Sequence, residues 1–205
     1  VYGRVVGFGG RALDDSMPKY LNSPESPVFS KRTNLYGLDL AADRIRSDGA
    51  AVLVEGYLDV IAAHEAGLGN VVATLGTALT AEQARLISRY AQRVVMCYDA
   101  DSAGSAATGR GVGITSGVGL EVAVAMLPEG HDPDSLVRNQ GGDALRDAIE
   151  TAVPYARYRI ERILSATDMS SLQSRLAAVE AVVEVVADVA GEVERAEYVR
   201  ELAGR

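Results

Sequence analysis

Residues 94–104 read VVMCYDADSAG, and this stretch indicates both the type of sheet and the position of a site. The apolar run 94–98 is typical of a buried strand. Two aspartates, Asp99 and Asp101, follow it directly. Carboxylates at the end of an apolar strand need cations, hydrogen-bond donors or water around them. The stretch therefore predicts a buried strand that ends at a polar site.

The surrounding chain alternates between short apolar segments and segments with a helical pattern. The predicted strands occupy residues 50–56, 70–76, 93–99 and 120–128. Helices are predicted between them, and one begins at Thr80, with Gln83 at the capping-box position. Apolar strands separated by helices are typical of a mainly parallel sheet flanked by helices on both faces. The sequence therefore predicts the α/β class.

Three parts can be distinguished along the chain. Residues 1–48 are predicted to form a partial N-terminal α+β subdomain with basic character. A strand is predicted at 1–8, a turn or bulge at Gly9-Gly10 and a helix at 33–47. Residues 49–153 form the parallel-sheet domain. Residues 154–205 carry amphipathic helical patterns without a strand signal, which predicts a small C-terminal helical subdomain.

The charge is distributed unevenly. The net charge of the chain is −8, yet residues 1–35 contain five Lys or Arg against three Asp or Glu. Residues 49–153 contain six against thirteen. A simple nucleic-acid-binding domain is basic. If this chain handles nucleic acid, metal ions must offset the acidic part, or another surface must hold the strand.

Six carboxylates are expected at one edge of the sheet, because the carboxyl ends of parallel strands meet there. They are Glu55, Asp59, Asp99, Asp101, Asp132 and Asp134. Clustered carboxylates repel one another unless a cation lies among them. Oxygen ligands without His or Cys favour Mg²⁺ or Mn²⁺ over zinc. This pattern predicts metal-assisted phosphoryl or nucleotidyl transfer, or phosphodiester cleavage.

Other features narrow the class of protein. No run of 18 apolar residues is present, so no membrane span is expected. The first residues lack a secretory pattern and already look like a strand, which suggests an excised fragment or a partly ordered chain. The single cysteine, Cys97, excludes a disulfide framework, and we expect it in the core of a cytoplasmic protein.

Several motifs together resemble a known family. VEGYLDV at 54–60, YDADSAG at 98–104 and DPD at 132–134 resemble the Toprim fold of primases, topoisomerases, some nucleases and recombination mediators. With RVVGFGGRAL, PKYLNSPESPVFSK, ATLGTALTAEQ and LPEGHDPDSLVR in that order, the sequence is similar to the RNA-polymerase core of bacterial DnaG-type primases over about residues 3–165.

The resemblance implies an enzyme that synthesises short RNA primers from ribonucleoside triphosphates on single-stranded DNA during replication. It implies Glu55, Asp99 and Asp101 as catalytic residues, and all six acids as ligands of two or three Mg²⁺ or Mn²⁺ ions, without zinc. It also implies a template or nucleotide groove with a basic flank, formed by Arg11, Lys19, Tyr20, Asn22 and Lys31.

Some parts of the family are expected to be missing. The zinc-binding module, the helicase-binding module and part of the basic subdomain before Val1 have no counterpart that we identify in the sequence. We therefore expect contact with the replicative helicase only through a module absent here, and little or no primer synthesis by this chain alone.

Two alternatives remain open at this point. The chain could be a fragment of another Toprim enzyme, such as a nuclease or topoisomerase, or a scaffold that binds DNA without turnover. A topoisomerase needs a tyrosine nucleophile, and Tyr57 and Tyr98 lie too close to strand ends to serve clearly. The PKYLNSPE block disfavours a nuclease or topoisomerase, and retention of all six acids disfavours the scaffold.

Overall fold

The structure is a computed structural model that describes residues 4–12, 17, 20–99, 102–189 and 191–204. The chain forms two compact units, residues 1–152 and residues 153–205. Among the described helices, none is both long and apolar enough to cross a membrane.

The first unit is built on a parallel sheet. Its strands are β3 (Ala50–Val54), β4 (Val71–Ala73), β5 (Arg93–Met96) and β6 (Glu121–Val124). They lie in the order β4-β3-β5-β6, and each neighbouring pair is parallel. A separate antiparallel hairpin consists of β1 (Gly9–Arg11) and β2 (Tyr20–Asn22). The predicted α/β class with a mainly parallel sheet is confirmed.

Helices accompany the strands along the chain. They are α1 (Leu38–Asp48), α2 (Tyr57–Glu65), α3 (Ala81–Ile87), α4 (Ser102–Ser116), α5 (Pro133–Gln140) and α6 (Gly142–Glu150). The central strand residues Val52, Val71 and Val94 are fully buried. Strands covered on both faces have no polar side to expose, which explains their continuous apolar sequences. Cys97 is buried in the same core, as predicted.

Two local predictions in the first 48 residues are wrong. Residues 4–8 form no strand, and the strand β1 instead begins at Gly9, where a turn or bulge is predicted. Strand formation at Gly9–Arg11 depends on its pairing with Tyr20–Asn22, which local propensity does not contain. The helix predicted at 33–47 begins only at Leu38, because Gly37 precedes it with a left-handed φ of 79°.

The second unit consists mainly of helices, as predicted. A two-residue strand, β7 (Val153–Pro154), precedes α7 (Tyr155–Ala166), α8 (Leu172–Ala187) and α9 (Glu192–Ala203). The core of the unit contains Ile160, Val182, Val185, Val186, Val189 and Tyr198. Arg157 binds the carboxylate of Glu201 through two hydrogen bonds of 2.9 and 2.5 Å, which ties α7 to α9.

A buried amide fastens the segment 31–34 to the start of α3. Gln83 is fully buried, and its Nε2 donates to the carbonyls of Lys31 (2.9 Å) and Asn34 (2.8 Å). Its Oε1 accepts from the backbone N–H of Thr80 at 3.0 Å, which completes the predicted capping box. The hydroxyl of Thr80 donates to the carbonyl of Arg32 at 2.6 Å. Gln83 therefore acts as a helix cap and as an anchor for this loop.

We predict that Gln83→Leu lowers the free energy of unfolding by about 2 kcal/mol, because it leaves partly buried carbonyl groups of Lys31 and Asn34 and the amide of Thr80 without partners. Chemical denaturation followed by circular dichroism measures the change. The control is Gln173→Leu, at an exposed position of α8, where we expect a change within about 0.5 kcal/mol. Equal losses in the two variants would contradict the anchoring role.

Candidate functional site: an acidic cleft at the strand ends

A cleft of about 410 Å³ lies at the carboxyl ends of the strands. It brings together five of the six predicted acids with three of the predicted groove residues. Its lining consists of Arg11, Tyr20, Asn22, Glu55, Gly56, Tyr57, Leu58, Asp59, Gly76, Asp99, Asp132 and Asp134. Asp101, the sixth acid, lies outside the described residues.

Glu55 and Asp99 enter the cleft from neighbouring strands. Glu55 follows β3 directly, and Asp99 comes three residues after β5. The two strands are parallel and Leu53 pairs with Met96, so both chains emerge at the same edge. Glu55 is exposed and Asp99 is partly buried. The parallel pairing itself thus brings these two acids to one wall of the cleft.

Asp59 is the buried acid of the cleft and holds two turns together. Its Oδ2 accepts from the backbone N–H of Gly56 at 2.9 Å, and its Oδ1 accepts from that of Asp134 at 3.2 Å. A Cβ on residue 56 would lie 2.9 Å from Oδ2, so any larger residue there would require the Asp59 carboxylate to shift. The carboxylate thereby joins the start of α2 to the start of α5.

The same burial changes the acidity of Asp59. Only 7% of the residue is exposed. Loss of solvent raises the pKa of Asp59 from 3.8 to about 7, although the amide hydrogen bonds from Asp134 and Gly56 oppose this shift. The charges of Asp132 and Asp99 raise the pKa further. A carboxyl group that titrates near neutral pH is therefore built into the acidic wall.

Asp132 and Asp134 have partners within their own helix. Asp132 caps α5, since its Oδ1 accepts from the N–H of Ser135 at 2.6 Å. The carboxylate of Asp134 pairs with Arg138, one turn later, at 2.8 Å. The side chain of Asp134 is only 16% exposed, and that of Arg138 is 64% exposed. Both acids therefore lie at the cleft with part of their charge compensated by α5.

The donor set of the acidic wall fits a hard divalent cation, because every candidate ligand is a carboxylate oxygen. Among the described residues, however, no three His, Cys, Asp or Glu side chains come close enough together to hold one ion. Three of the carboxylates already have protein donors. Asp59 and Asp132 accept hydrogen bonds from backbone N–H groups, and Asp134 pairs with Arg138. The five described acids share one cleft, but no three of them are gathered around one point.

The lining of the cleft also contains aromatic and cationic side chains. The guanidinium of Arg11 lies over the ring of Tyr20, 5.6 Å from its centre. Tyr20 meets the ring of Tyr57 edge to face at 6.1 Å. The hydroxyl of Tyr57 donates to Oδ1 of Asn22. A cleft lined by acids together with Arg11 and Tyr20 suits a ligand that carries phosphates and planar rings.

Among the described residues, Lys31 is not part of this lining. Lys31 lies on the loop that Gln83 anchors, and its N–H donates to Glu25 at 2.9 Å. Lys19 lies outside the described residues. The assignment of nucleic-acid contacts to these two lysines stays a prediction.

Two residues of the site, Arg138 and Tyr57, are not identified as supporting residues by the sequence analysis. Arg138 is four residues after Asp134, and this i, i+4 spacing on a helix was a usable signal for the pair. Tyr57 was considered only as a nucleophile. Its contacts with Tyr20 and Asn22 join residues 37 and 35 positions apart, and no local pattern contains them.

Family models match three parts of the chain. Residues 52–137 match a Toprim-like model, and residues 1–42 match the N-terminal domain of the DNA primase catalytic core. Residues 156–205 match the DnaB-helicase binding domain of primase. The expectation that the helicase-binding module is absent is therefore wrong, because this segment looked only like a generic helical subdomain in sequence. A Toprim-like domain implies the use of divalent metal ions.

Known proteins match nearly the whole chain. The DNA primase of Clostridium acetobutylicum is 44% identical over 203 residues, which cover 99% of this chain and 34% of that protein. The RNA polymerase domain of Mycobacterium tuberculosis primase DnaG, solved with double-stranded DNA, has a TM-score of 0.87 and 34% identity. That match covers 99% of this chain and 67% of the solved one.

A solved DnaG primase catalytic domain bound to single-stranded DNA matches with a TM-score of 0.75 and 35% identity, over 99% of this chain and 66% of that one. The chain spans about a third of the length of the curated relatives it matches. Motif order, fold, family models and these relatives agree, and the chain belongs to the bacterial DnaG-type primase family, within its RNA-polymerase core.

Proposed function

We propose that this chain is the catalytic part of a primase that joins ribonucleotides into short RNA primers on single-stranded DNA by metal-dependent nucleotidyl transfer. The observation that carries the proposal is the cleft whose lining combines five acids with Arg11 and Tyr20. The solved relatives with bound DNA support the same substrate class.

The acidic wall is proposed to hold two or three Mg²⁺ or Mn²⁺ ions. Glu55, Asp99 and Asp101 would be the catalytic ligands, and Asp59, Asp132 and Asp134 would complete the set. When bound, such ions lower the pKa of a hydroxyl nucleophile and offset the charge of a triphosphate. The acids themselves provide only oxygen ligands, which suits this chemistry.

The aromatic and cationic residues of the cleft are proposed to hold the nucleic acid or the incoming nucleotide. Arg11 provides a cation that pairs with a phosphate, and Tyr20 provides a ring on which a base can stack. Lys19 and Lys31 would contact phosphates further along the strand. With the cation of Arg11 on one side and the ions on the other, the cleft can accept a polyanion despite the net charge of −8.

The environment of the tyrosines argues against a topoisomerase. The hydroxyl of Tyr57 donates to Asn22, and its ring contacts Tyr20 and Tyr36. Tyr98 is buried, and this burial, with the charge of Glu55, raises the pKa of its hydroxyl further from neutrality. Neither side chain is presented as a nucleophile. A nuclease and a non-catalytic scaffold remain as outcomes of the test below.

We predict that Asp99→Ala reduces extension of an RNA primer annealed to single-stranded DNA by about 100-fold or more, because it removes a ligand of the ions at the reacting centre. The assay measures labelled RNA with ribonucleotides and Mg²⁺. The control is Asp43→Ala, an exposed acid on α1, with wild-type extension expected. Cleaved template in place of extended RNA would indicate a nuclease, and DNA binding without either product would indicate a scaffold.

We predict that, in chelator, the thermal stability of the wild type falls as the pH rises from about 5 to about 8. Asp59 has a pKa of 3.8 in the unfolded chain and about 7 in the fold, so the fold retains a proton that the unfolded chain has lost. This stabilisation is fully present below pH 3.8 and is lost as the pH rises through about 7.

Thermal unfolding at both pH values tests this expectation. Asp59→Asn should show a smaller pH dependence than the wild type, and Mg²⁺ should raise the wild-type midpoint more at about pH 8 than at about pH 5, because the ion competes with the proton. A pH dependence that is the same in the variant and the wild type would contradict the assignment to Asp59.

We also propose that the second unit contacts a replicative helicase, as the family model for residues 156–205 suggests. Helix α8 carries four exposed apolar residues at i, i+4, i+7 and i+11 inside this match. They are Leu172, Leu176, Val179 and Val183, each between 57% and 64% exposed. A regular apolar row on the surface of a helix is a suitable contact surface for another protein.

We predict that replacing Leu176 and Val183 together by serine weakens binding to the helicase of the same organism by about tenfold or more, because two apolar contacts are lost. Calorimetry or surface plasmon resonance measures the affinity. The control replaces Gln173 and Glu184 by serine on another exposed face of α8. If both double variants bind like the wild type, the row does not contact the helicase.

A further inference from the structure

The hairpin of β1 and β2 carries Arg11 and Tyr20, yet it buries little surface of its own. Its six residues are exposed apart from Asn22, which is partly buried, and Leu21 is 69% exposed. A two-stranded hairpin without an apolar face is at best marginally stable. The position of Arg11 and Tyr20 at the cleft must therefore depend on contacts with the rest of the unit.

Tyr57 makes contacts with both strands of the hairpin. Its ring meets Tyr20 of β2 at 6.1 Å, and its hydroxyl donates to the side chain of Asn22. On β1, a Cβ at Gly9 would lie 2.8 Å from Cε2 of Tyr57, so the strand approaches the ring as closely as glycine allows. On its other side the ring packs against Tyr36 at 4.7 Å.

Asn22 links Tyr57 to the loop after β4. Its Nδ2 donates to the carbonyl of Leu75 at 3.2 Å, and Leu75 is buried. The side-chain amide thus uses its oxygen for Tyr57 and its nitrogen for Leu75. Because both ends of the amide have protein partners, the geometry favours a supporting role for Asn22 over a direct contact with nucleic acid.

Tyr57 is also tied to the acidic wall by its place in the chain. It is the first residue of α2, two residues after Glu55 and two before Asp59. The Asp59 carboxylate fixes the preceding turn through the N–H of Gly56 at 2.9 Å. A displacement of Tyr57 relative to the acids would therefore require a change in this turn.

From these contacts we propose that Tyr57 is a positioning residue that holds the hairpin, with Arg11 and Tyr20, at a fixed distance from the acids, and that Asn22 relays this contact to Leu75. The hydroxyl of Tyr57 carries the specific part of this role, because ring packing alone would leave the hairpin free to slide. The role in DNA binding rests on the proposed function, whereas the role in fixing the hairpin does not.

The test compares Tyr57→Phe with the wild type, since this change keeps the ring and removes only the donor. Without DNA, we expect the backbone amides of residues 9–11 and 20–22 to exchange hydrogen at least about fivefold faster, with β3 and β5 unchanged. We expect the affinity for a fluorescein-labelled single-stranded oligonucleotide to fall about fivefold, and the affinity for Mn²⁺, measured by electron paramagnetic resonance, to stay within about twofold.

Two further variants make the result specific. Tyr90→Phe removes a hydroxyl outside the cleft and should behave as the wild type. In a double-mutant cycle, Tyr57→Phe should add no further effect to Asn22→Ala, because both remove the same hydrogen bond. Wild-type hairpin exchange in Tyr57→Phe, or additive effects in the cycle, would overturn the proposal. If the wild type binds no single-stranded DNA, the proposed function fails, and hydrogen exchange still decides the role of Tyr57.

Discussion

The hydrogen bonds that Asp59 accepts from the backbones of Gly56 and Asp134 are the interactions on which the site depends. A parallel sheet brings its strand ends together, and in this chain those ends carry acids that repel one another. Asp59 fixes the turn after Glu55 and the start of α5 at the same time. The distance between the two groups of acids on the cleft wall is therefore set by one buried carboxylate.

Compensation of charge is the second principle of the acidic wall. Asp132 uses a helix N-terminus, and Asp134 uses Arg138 on the same helix. For Asp59, burial raises the pKa, so the carboxyl group can be protonated and uncharged near neutral pH. The fold can thus hold its acids near one another without a cation. Their oxygens still line a cleft in which a bound cation would reduce the remaining repulsion between the acids.

Much of the first unit could be predicted from sequence because its signals are local. A few neighbouring residues are enough to predict the apolar strands β3 and β5. The same is true of the capping box that Thr80 and Gln83 form. The strand β1 could not be predicted, because pairing with β2 determines it. For the same reason the sequence pointed to the acids at the strand ends, but it did not reveal the partner of Tyr57 or the double use of Gln83. The helical segment at 156–205 offered only amphipathic periodicity, which does not identify a binding partner.

The sequence separations within the cleft have a consequence for folding. The contact between Tyr57 and Asn22 spans 35 residues, and that between Asp59 and Asp134 spans 75. Closing such long loops costs entropy before any contact can offset it, so local helices and neighbouring strands have an advantage over these contacts during folding. We therefore expect the cleft to be completed among the last steps of folding. A partly folded chain, in which only local helices have formed, would still lack the arrangement of side chains that a phosphate-bearing ligand needs. Newly made molecules would therefore acquire binding only when folding is complete.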